Sequence, residues 1–174
     1  MVVESVVFKA LNNMVEIRVL FVCMGNICRS PLAEGVVRCL ADRAGMGAFV
    51  EVDSAGTLAY HAGEQPDPRA RKVATSRGYD LSKMRARRVA EDDFSHFDLV
   101  LAMDRQNLAA LERVCPEEHL HKLRLFMDYA EDGEEDEIPD PYYGGPDGFE
   151  RVLDLCEAAA RGLIASIAGR KGRR

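Results

Sequence analysis

The sequence predicts a single α/β domain in which a four-stranded parallel sheet carries helices on both faces. Three observations support this prediction. The chain has 174 residues, close to the size of one typical domain. Hydrophobic residues make up 47% of the chain, which is enough to build a core. Short apolar runs alternate with segments of helical periodicity, a pattern typical of parallel strands joined by right-handed crossovers.

The first half of the chain contains two predicted strands and two predicted helices. Residues 15–22 (VEIRVLFV) are mostly branched and apolar, which indicates a buried strand. Apolar residues at helical spacing predict a helix over 31–44. A short strand is predicted over 49–52. The turn-rich stretch 54–68 then leads into a helix over 68–77.

The second half repeats this alternation. Residues 97–103 (FDLVLAM) predict a buried strand, followed by a helix that Asp104 caps and that runs to residue 114. Residues 123–127 predict the fourth strand. The acidic segment 131–137 (EDGEEDE) is predicted to be a solvated loop, and an amphipathic pattern predicts the last helix over 149–167.

The two ends of the chain are predicted to lie outside the folded domain. Residues 1–13 have no place in the pattern and are expected to be an extension that need not be ordered. The domain is expected to occupy residues 14–168, followed by a basic tail over 169–174. The N-terminus has no cationic start or small-residue cleavage site, so we expect no export and a cytoplasmic location.

Charge and cysteine content narrow the possible partners. With 23 basic and 29 acidic side chains, the net charge is −6. This charge disfavours generic binding to nucleic acid or anionic membranes, which depends on Lys and Arg. The five cysteines cannot all pair within one chain, and an odd number is typical of a reducing compartment.

The candidate site lies directly after the first strand, because ligands bind at the carboxyl ends of strands in such sheets. Cys23 stands there, and Gly25 and Asn26 are the residue types that most readily adopt positive φ, which turns backbone N–H groups inward as an anion nest. Ser30 and Pro31 are predicted to be the N-cap and first residue of the helix, which places its positive end at the nest.

Arg29 completes the predicted anion site. Its planar guanidinium can bind two phosphate oxygens, and the same positive field would stabilise a Cys23 thiolate. A Cys followed six positions later by Arg is weak evidence alone, but in this setting the pair indicates a nucleophile that attacks a bound oxyanion. The nucleotide-binding motif Gly-x-x-x-x-Gly-Lys-[Ser/Thr] does not occur.

This loop and five distant motifs resemble the low-molecular-weight protein tyrosine phosphatases. The resemblance covers about residues 15–167. It implies a flavodoxin-like fold of the phosphotyrosine phosphatase I type and hydrolysis through a phosphocysteine intermediate, with no metal or cofactor. The shared motifs, in the family's order, are the Cys23 loop, 54–57 (SAGT), 66–70 (PDPRA), 86–87 (AR), 94–104 (FSHFDLVLAMD) and 140–144 (DPYYG).

The resemblance also assigns roles to residues. Cys23 would be the nucleophile, and Asp140 would be the general acid and then the general base. Six acidic residues lie in 131–137, so only the resemblance selects Asp140. Ser30 would hydrogen-bond the thiolate. Arg29 would bind phosphate together with the backbone amides of the loop residues, which are Met24, Gly25, Asn26, Ile27, Cys28 and Ser30.

A phosphotyrosine-containing protein is the expected substrate. Tyr60, Tyr142 and Tyr143 are predicted to line the pocket, where aromatic walls would stack on the substrate ring. Relatives that act on protein phosphoarginine carry threonine where this chain has Ile27, and an apolar residue suits a phenyl ring better. A protein arginine phosphatase remains the alternative. The protein is expected to be a monomer or a weak homo-oligomer.

Two other functional classes remain open. A thiol-dependent arsenate reductase would use the same nest but needs relay cysteines, and none occurs between Cys39 and Cys115. A phosphopeptide-binding module without turnover would keep the nest, but the intact set of Cys23, Arg29 and Asp140 argues against it.

The remaining cysteines and one departure from the family pattern give further expectations. Cys28 is expected to form a reversible disulfide with an oxidised Cys23. The other three cysteines are expected in helical, core positions: Cys39, Cys115 and Cys156. The family often has a histidine near the position of Met84 or Arg85 that bonds the loop asparagine, so we expect Ser54 or another group to hold Asn26 here.

Overall fold

The computed structural model describes residues 16–131, 133, 135–145 and 147–172. Four parallel strands form one sheet in the order β2-β1-β3-β4. The predicted fold class is confirmed. Because β1 is an inner strand, its carboxyl end at Cys23 lies in the middle of the sheet edge. The strands are β1 Ile17–Cys23, β2 Val50–Gly56, β3 Leu99–Ala102 and β4 Leu123–Leu125.

Helices cover both faces of the sheet. Val19 and Phe21 of β1 cluster with one set of helices, whereas Leu20 and Val22 cluster with the other, as expected for a strand whose side chains alternate. The first face carries α1 Arg29–Arg43, α2 Pro68–Ser76 and α5 Asp147–Lys171, and the second carries α3 Glu91–His96 and α4 Arg105–Glu112.

The predicted boundaries around the candidate site need two corrections. Strand β2 continues to Gly56, because Ser54, Ala55 and Gly56 pair with the last three residues of β1. Packing requires the small residue at position 56, because a Cβ on Gly56 would lie 2.7 Å from the Met24 carbonyl oxygen. Helix α1 begins at Arg29 with Cys28 as N-cap, so the prediction of Ser30 as the cap is wrong.

Other differences lie further from the site. Helix α3 has no apolar periodicity and was not predicted; the Asp93 carboxylate caps it by accepting from the Ala90 N–H at 2.8 Å. Residues Phe126–Tyr129 form a 3₁₀-helix where the fourth strand was expected to continue. Helix α5 reaches Lys171, so the first residues of the predicted tail are helical. The predicted extension 1–13 lies outside the described residues.

Among the helices described, none combines the length and the apolar character needed to cross a bilayer.

Candidate active site

The loop between β1 and α1 folds around the Cys23 sulfur. The Asn26 N–H donates to Sγ at 3.3 Å, and the Ser30 hydroxyl lies 3.0 Å from it. Asn26 has φ +56°, as predicted, but Gly25 is not among the residues with positive φ, so that part of the prediction is wrong. Since α1 begins at Arg29, at the end of this loop, its first unpaired N–H groups and its positive end lie next to the site.

The side chain of Asn26 holds the loop in this shape. Its Nδ2 donates to Ser30 Oγ and to Ser54 Oγ, both at 2.9 Å, and its Oδ1 accepts from the Arg87 N–H at 3.0 Å. The expectation that Ser54 holds Asn26 is therefore confirmed. A backbone N–H supplies the bond to Oδ1, so the loop is satisfied although Met84 cannot donate a hydrogen bond.

Arg29 is fixed on one edge and open on the other. Only 2% of its surface is exposed, and Nη1 donates to Asp104 Oδ2 at 2.5 Å and to the Ile138 carbonyl at 3.0 Å. Burial alone would lower the pKa of Arg29, but the Cys23 sulfur and the Asp104 carboxylate hold it above its ordinary value. Nε and Nη2 make no hydrogen bond within the described residues, which leaves them for an anion.

Most of the candidate residues line one cavity of about 270 Å³. Cys23 and Asp140 both line it, and Asp140 Oδ2 lies 3.6 Å from Arg29 Nη2. Tyr60 and Tyr143 are 84% and 95% exposed at the mouth. The side chains of Asn26 and Ser30 are buried and do not line the cavity. The residues lining the cavity are Cys23, Met24, Gly25, Ile27, Cys28, Arg29, Leu58, Tyr60, His61, Asp140, Tyr142 and Tyr143.

The segment that carries Asp140 is tied to α2 by Arg69. The Tyr142 N–H donates to Asp140 Oδ1 at 3.1 Å, which fixes the carboxylate relative to its own loop. Arg69 Nη1 donates to the Tyr142 carbonyl at 3.0 Å, and its guanidinium carbon lies 5.3 Å from the Tyr142 ring centroid. The Tyr142 and Tyr143 rings meet edge to face with centroids 4.9 Å apart.

Sequence reasoning missed three residues of this site. Asp104, predicted only as a helix cap, both caps α4 and binds Arg29. Its position directly after β3, at the ligand-binding edge, was the available signal. Leu58 and His61 line the cavity. A Cβ on Gly25 would lie 3.1 Å from the His61 ring, so Gly25 provides space for this ring.

Cys28 is the second thiol that lines the cavity. Burial, followed by the negative charge of Asp67 and of Cys23, raises the pKa of Cys28 to about 12. Cys28 is therefore a neutral thiol near neutral pH. Of the three cysteines expected in helical core positions, Cys156 is fully buried and Cys39 partly so, whereas Cys115 lies beyond the end of α4.

Comparisons with known proteins show the family of this chain. The family model described as low molecular weight phosphotyrosine protein phosphatase matches residues 18–173. The chain belongs to this family. A low molecular weight protein-tyrosine-phosphatase from Streptomyces coelicolor is 49% identical over 86% of this chain and 93% of that protein. The human low molecular weight phosphotyrosine protein phosphatase is 37% identical over 84% of this chain and 92% of its own length.

Solved structures of the family share the fold. A crystal structure of protein tyrosine phosphatase from Entamoeba histolytica, with Hepes in its active site, has a TM-score of 0.86 at 42% identity and covers 89% of this chain and 99% of that chain. The crystal structure of YfkJ from Bacillus subtilis has a TM-score of 0.84 at 38% identity, with 89% and 96% covered.

Proposed function

We propose that this protein hydrolyses phosphotyrosine in proteins through a phosphocysteine intermediate. The observation that carries the proposal is the meeting of Cys23, Arg29 and Asp140 around one cavity. A thiolate, a cation and a carboxyl group are the nucleophile, the anion binder and the proton donor that displacement of an aryl oxide from phosphorus requires. The names of the relatives support the same activity.

In the first step the Cys23 thiolate attacks phosphorus in line with the tyrosyl oxygen. The P–S bond forms, the P–O bond to tyrosine breaks, and Asp140 gives its proton to the leaving tyrosyl oxygen. The free edge of Arg29 and the N–H groups of the loop bind the three non-bridging oxygens, whose negative charge they stabilise.

In the second step water hydrolyses the phosphocysteine. Asp140, now a carboxylate, takes a proton from the attacking water, and the P–S bond breaks to release inorganic phosphate. The Ser30 hydroxyl, 3.0 Å from Sγ, stabilises the departing Cys23 thiolate. This thiolate must stay reduced for the next turnover, so a reducing compartment suits the reaction.

Phosphotyrosine fits the cavity better than phosphoarginine for two reasons. Ile27 presents an apolar side chain to the cavity, which would contact a phenyl ring without leaving guanidinium donors unpaired. Tyr142 and Tyr143 also line the cavity and offer ring faces and edges for aromatic contacts.

Hydrolysis of matched peptides tests the proposal. We expect the parent protein to release phosphate from a phosphotyrosyl peptide faster than from a phosphoarginyl peptide of the same sequence. Cys23→Ser should abolish turnover, and Asp140→Ala should reduce it strongly while keeping the parent's melting temperature. Faster release from phosphoarginine would support the alternative substrate, and undiminished turnover by Cys23→Ser would exclude the proposed nucleophile.

A further inference from the structure

A buried carboxylate lies behind the phosphate-binding loop and has no role in the reaction proposed above. Glu34, on α1, is only 4% exposed. Its Oε2 accepts a hydrogen bond from the Ser54 hydroxyl at 2.6 Å, and its Oε1 accepts from Arg38 Nη2 at 2.7 Å. Burying a carboxylate is costly, and the bond to Ser54 points toward the loop rather than toward solvent.

Glu34 determines which way the Ser54 hydroxyl points. Because a carboxylate can only accept, the single hydroxyl proton of Ser54 is directed to Glu34. The lone pairs of Ser54 Oγ are then available to Asn26 Nδ2, 2.9 Å away. The Asn26 amide cannot rotate by half a turn, since its Oδ1 already accepts from the Arg87 N–H.

The same network also fixes the direction of the hydrogen bond between Ser30 and Cys23. The second Nδ2 proton of Asn26 goes to Ser30 Oγ at 2.9 Å, so Ser30 accepts there and keeps its own proton to donate. Two acceptors are within reach of that proton: the Cys23 sulfur at 3.0 Å and the Ala55 carbonyl oxygen at 3.4 Å. The nearer one, when ionised, is the stronger acceptor.

We propose that Glu34 is a positioning residue for the Cys23 nucleophile. Its carboxylate orients Ser54, Ser54 orients Asn26, and Asn26 presents its own N–H and the Ser30 O–H to the thiolate. The inference rests on the proposed function, because it concerns the nucleophile of that reaction. It also accounts for a loop that keeps its shape with Met84 near the position of the family histidine.

The pKa of Glu34 lies above its ordinary value, and its two hydrogen-bond partners favour the ionised form. Burial raises the pKa of Glu34, whereas the Ser54 hydroxyl and Arg38 oppose this shift. Arg38 is the cation on its own helix. Asp53 on β2 raises the pKa further, but Arg87 pairs with Asp53 at 2.9 Å. A protonated Glu34 would no longer impose a single direction on the Ser54 hydroxyl.

The test compares Glu34→Gln with the charge-matched control Glu51→Gln, on a side chain that is partly exposed. The readout is the rate at which iodoacetamide alkylates Cys23 as a function of pH. Only the part of the alkylation that inorganic phosphate prevents is counted, and tandem mass spectrometry confirms that the modified residue is Cys23. We expect the midpoint for Glu34→Gln to move to higher pH and kcat/KM at pH 7 to fall about tenfold, the effect of one charge-assisted hydrogen bond. Glu51→Gln should match the parent.

If Glu34 had only a structural role, Glu34→Gln would leave the pH profile of Cys23 alkylation unchanged. Because burial penalises the ionised Glu34, we expect Glu34→Gln to melt no lower than the parent at pH 7.5, so a loss of reactivity cannot come from unfolding. A parent-like alkylation profile for Glu34→Gln would overturn the proposal. Ser54→Ala leaves Glu34 in place and should give the same shift, and a parent-like profile for Ser54→Ala would overturn it as well.

A double-variant comparison shows whether Glu34 acts through Ser54. If it does, Glu34→Gln with Ser54→Ala should be no more impaired than the worse single variant, whereas additive losses would overturn the proposal. Alkylation of Cys23 requires no turnover. A parent protein that alkylates with the expected pH shift in Glu34→Gln but hydrolyses no phosphopeptide would disprove the proposed function and leave the positioning role intact.

Discussion

The two halves of the candidate site are built differently. The nucleophile half, the loop from Cys23 to Ser30, has four side chains that are at most 3% exposed: Cys23, Asn26, Arg29 and Ser30. The acid half, residues 139–145, exposes 43% of the Asp140 side chain and nearly all of Tyr143. Contacts with β2, β3 and α4 fix the first half, whereas Arg69 and the bond from the Ile138 N–H to Met103 hold the second.

This difference suggests that the two halves have different functional requirements. Stabilising a thiolate and a bound phosphate requires groups already in place, because each donor that must reorganise weakens the effect. A proton donor acts at the outer oxygen of the substrate, where phosphotyrosine must also enter and tyrosine must leave. We therefore expect substitutions in the nucleophile half to change activity and stability together, and substitutions in the acid half to change activity alone.

The largest loss is expected for Arg29→Lys in the nucleophile half. A lysine keeps the charge but cannot bind Asp104 on one edge and two phosphate oxygens on the other. We expect kcat/KM for a phosphotyrosyl peptide to fall about 10³-fold, with a lower melting temperature. Steady-state kinetics and thermal unfolding measure both, and activity within tenfold of the parent would contradict the role given to the guanidinium fork.

In the acid half, Asp140→Asn should separate activity from stability. We expect kcat to fall about 10²-fold on a phosphotyrosyl peptide, whose leaving group needs a proton, and far less on p-nitrophenyl phosphate, whose leaving group does not. The melting temperature should stay at the parent value because Asp140 is half exposed. Equal losses on both substrates would argue against Asp140 as the proton donor.

The nucleophile half is also the half that sequence patterns predicted better. Cys23, Arg29 and the left-handed Asn26 are local to one loop, and the strand before it and the helix after it fix their place. Asp104 and Glu34 were missed as partners of this loop, since Asp104 is 75 residues from Arg29 and Glu34 is 20 residues from Ser54. Such contacts depend on strand order and helix packing, which periodicity does not specify.

The acid half depended on resemblance. Nothing in the chemistry of residues 131–140 distinguishes Asp140 from its acidic neighbours, and only the family motif selected it. Among the acidic residues of this segment that the structure describes, Asp140 is the one that lies within 4 Å of the Arg29 guanidinium, at 3.6 Å from Nη2. For the fold, the four strands were predicted, whereas α3 was not, because Phe94 is its only buried apolar residue.

Asp104→Asn probes the support of the nucleophile half from outside the loop. Asparagine is an equally good N-cap, so α4 should keep its first turn, but Arg29 would lose its charged partner. We expect a loss of about 2 kcal/mol in the free energy of unfolding and about a tenfold drop in kcat/KM. Asp136→Asn, on an exposed side chain that pairs with Arg105, is the matched control and should leave both quantities near the parent values.

Arg69→Ala probes the corresponding support of the acid half. It removes the bond to the Tyr142 carbonyl and the contact with its ring, which together orient the Asp140 loop. We expect a drop in kcat/KM of about threefold to fivefold, the scale of one exposed hydrogen bond. Because Arg69 also pairs with the Asp67 carboxylate at 2.9 Å, we expect a small decrease in the midpoint of urea unfolding, well below that for Asp104→Asn. A loss of stability as large as that of Asp104→Asn would remove the distinction between the two halves.

The smallest effect on turnover is expected for Cys28→Ser, although this thiol is in the nucleophile half. Its pKa of about 12 leaves roughly one molecule in 10⁵ as thiolate at pH 7, too few to compete with Cys23 for phosphorus. We expect kcat/KM to stay within about twofold of the parent, because only the backbone N–H of Cys28 is proposed to bind phosphate.

Peroxide treatment followed by thiol rescue then tests the second role predicted for Cys28. A Cys23 sulfenic acid would condense with the Cys28 thiol to give a disulfide and water, which protects Cys23 from further oxidation. Because the attacking species is the Cys28 thiolate, protection should increase as the pH rises from 7 to 9. Cys28→Ser should recover less activity than the parent, and most clearly at pH 9. If Cys28→Ser and the parent recover equally at both pH values, burial keeps Cys28 unreactive and the nucleophile half provides no redox protection of its own.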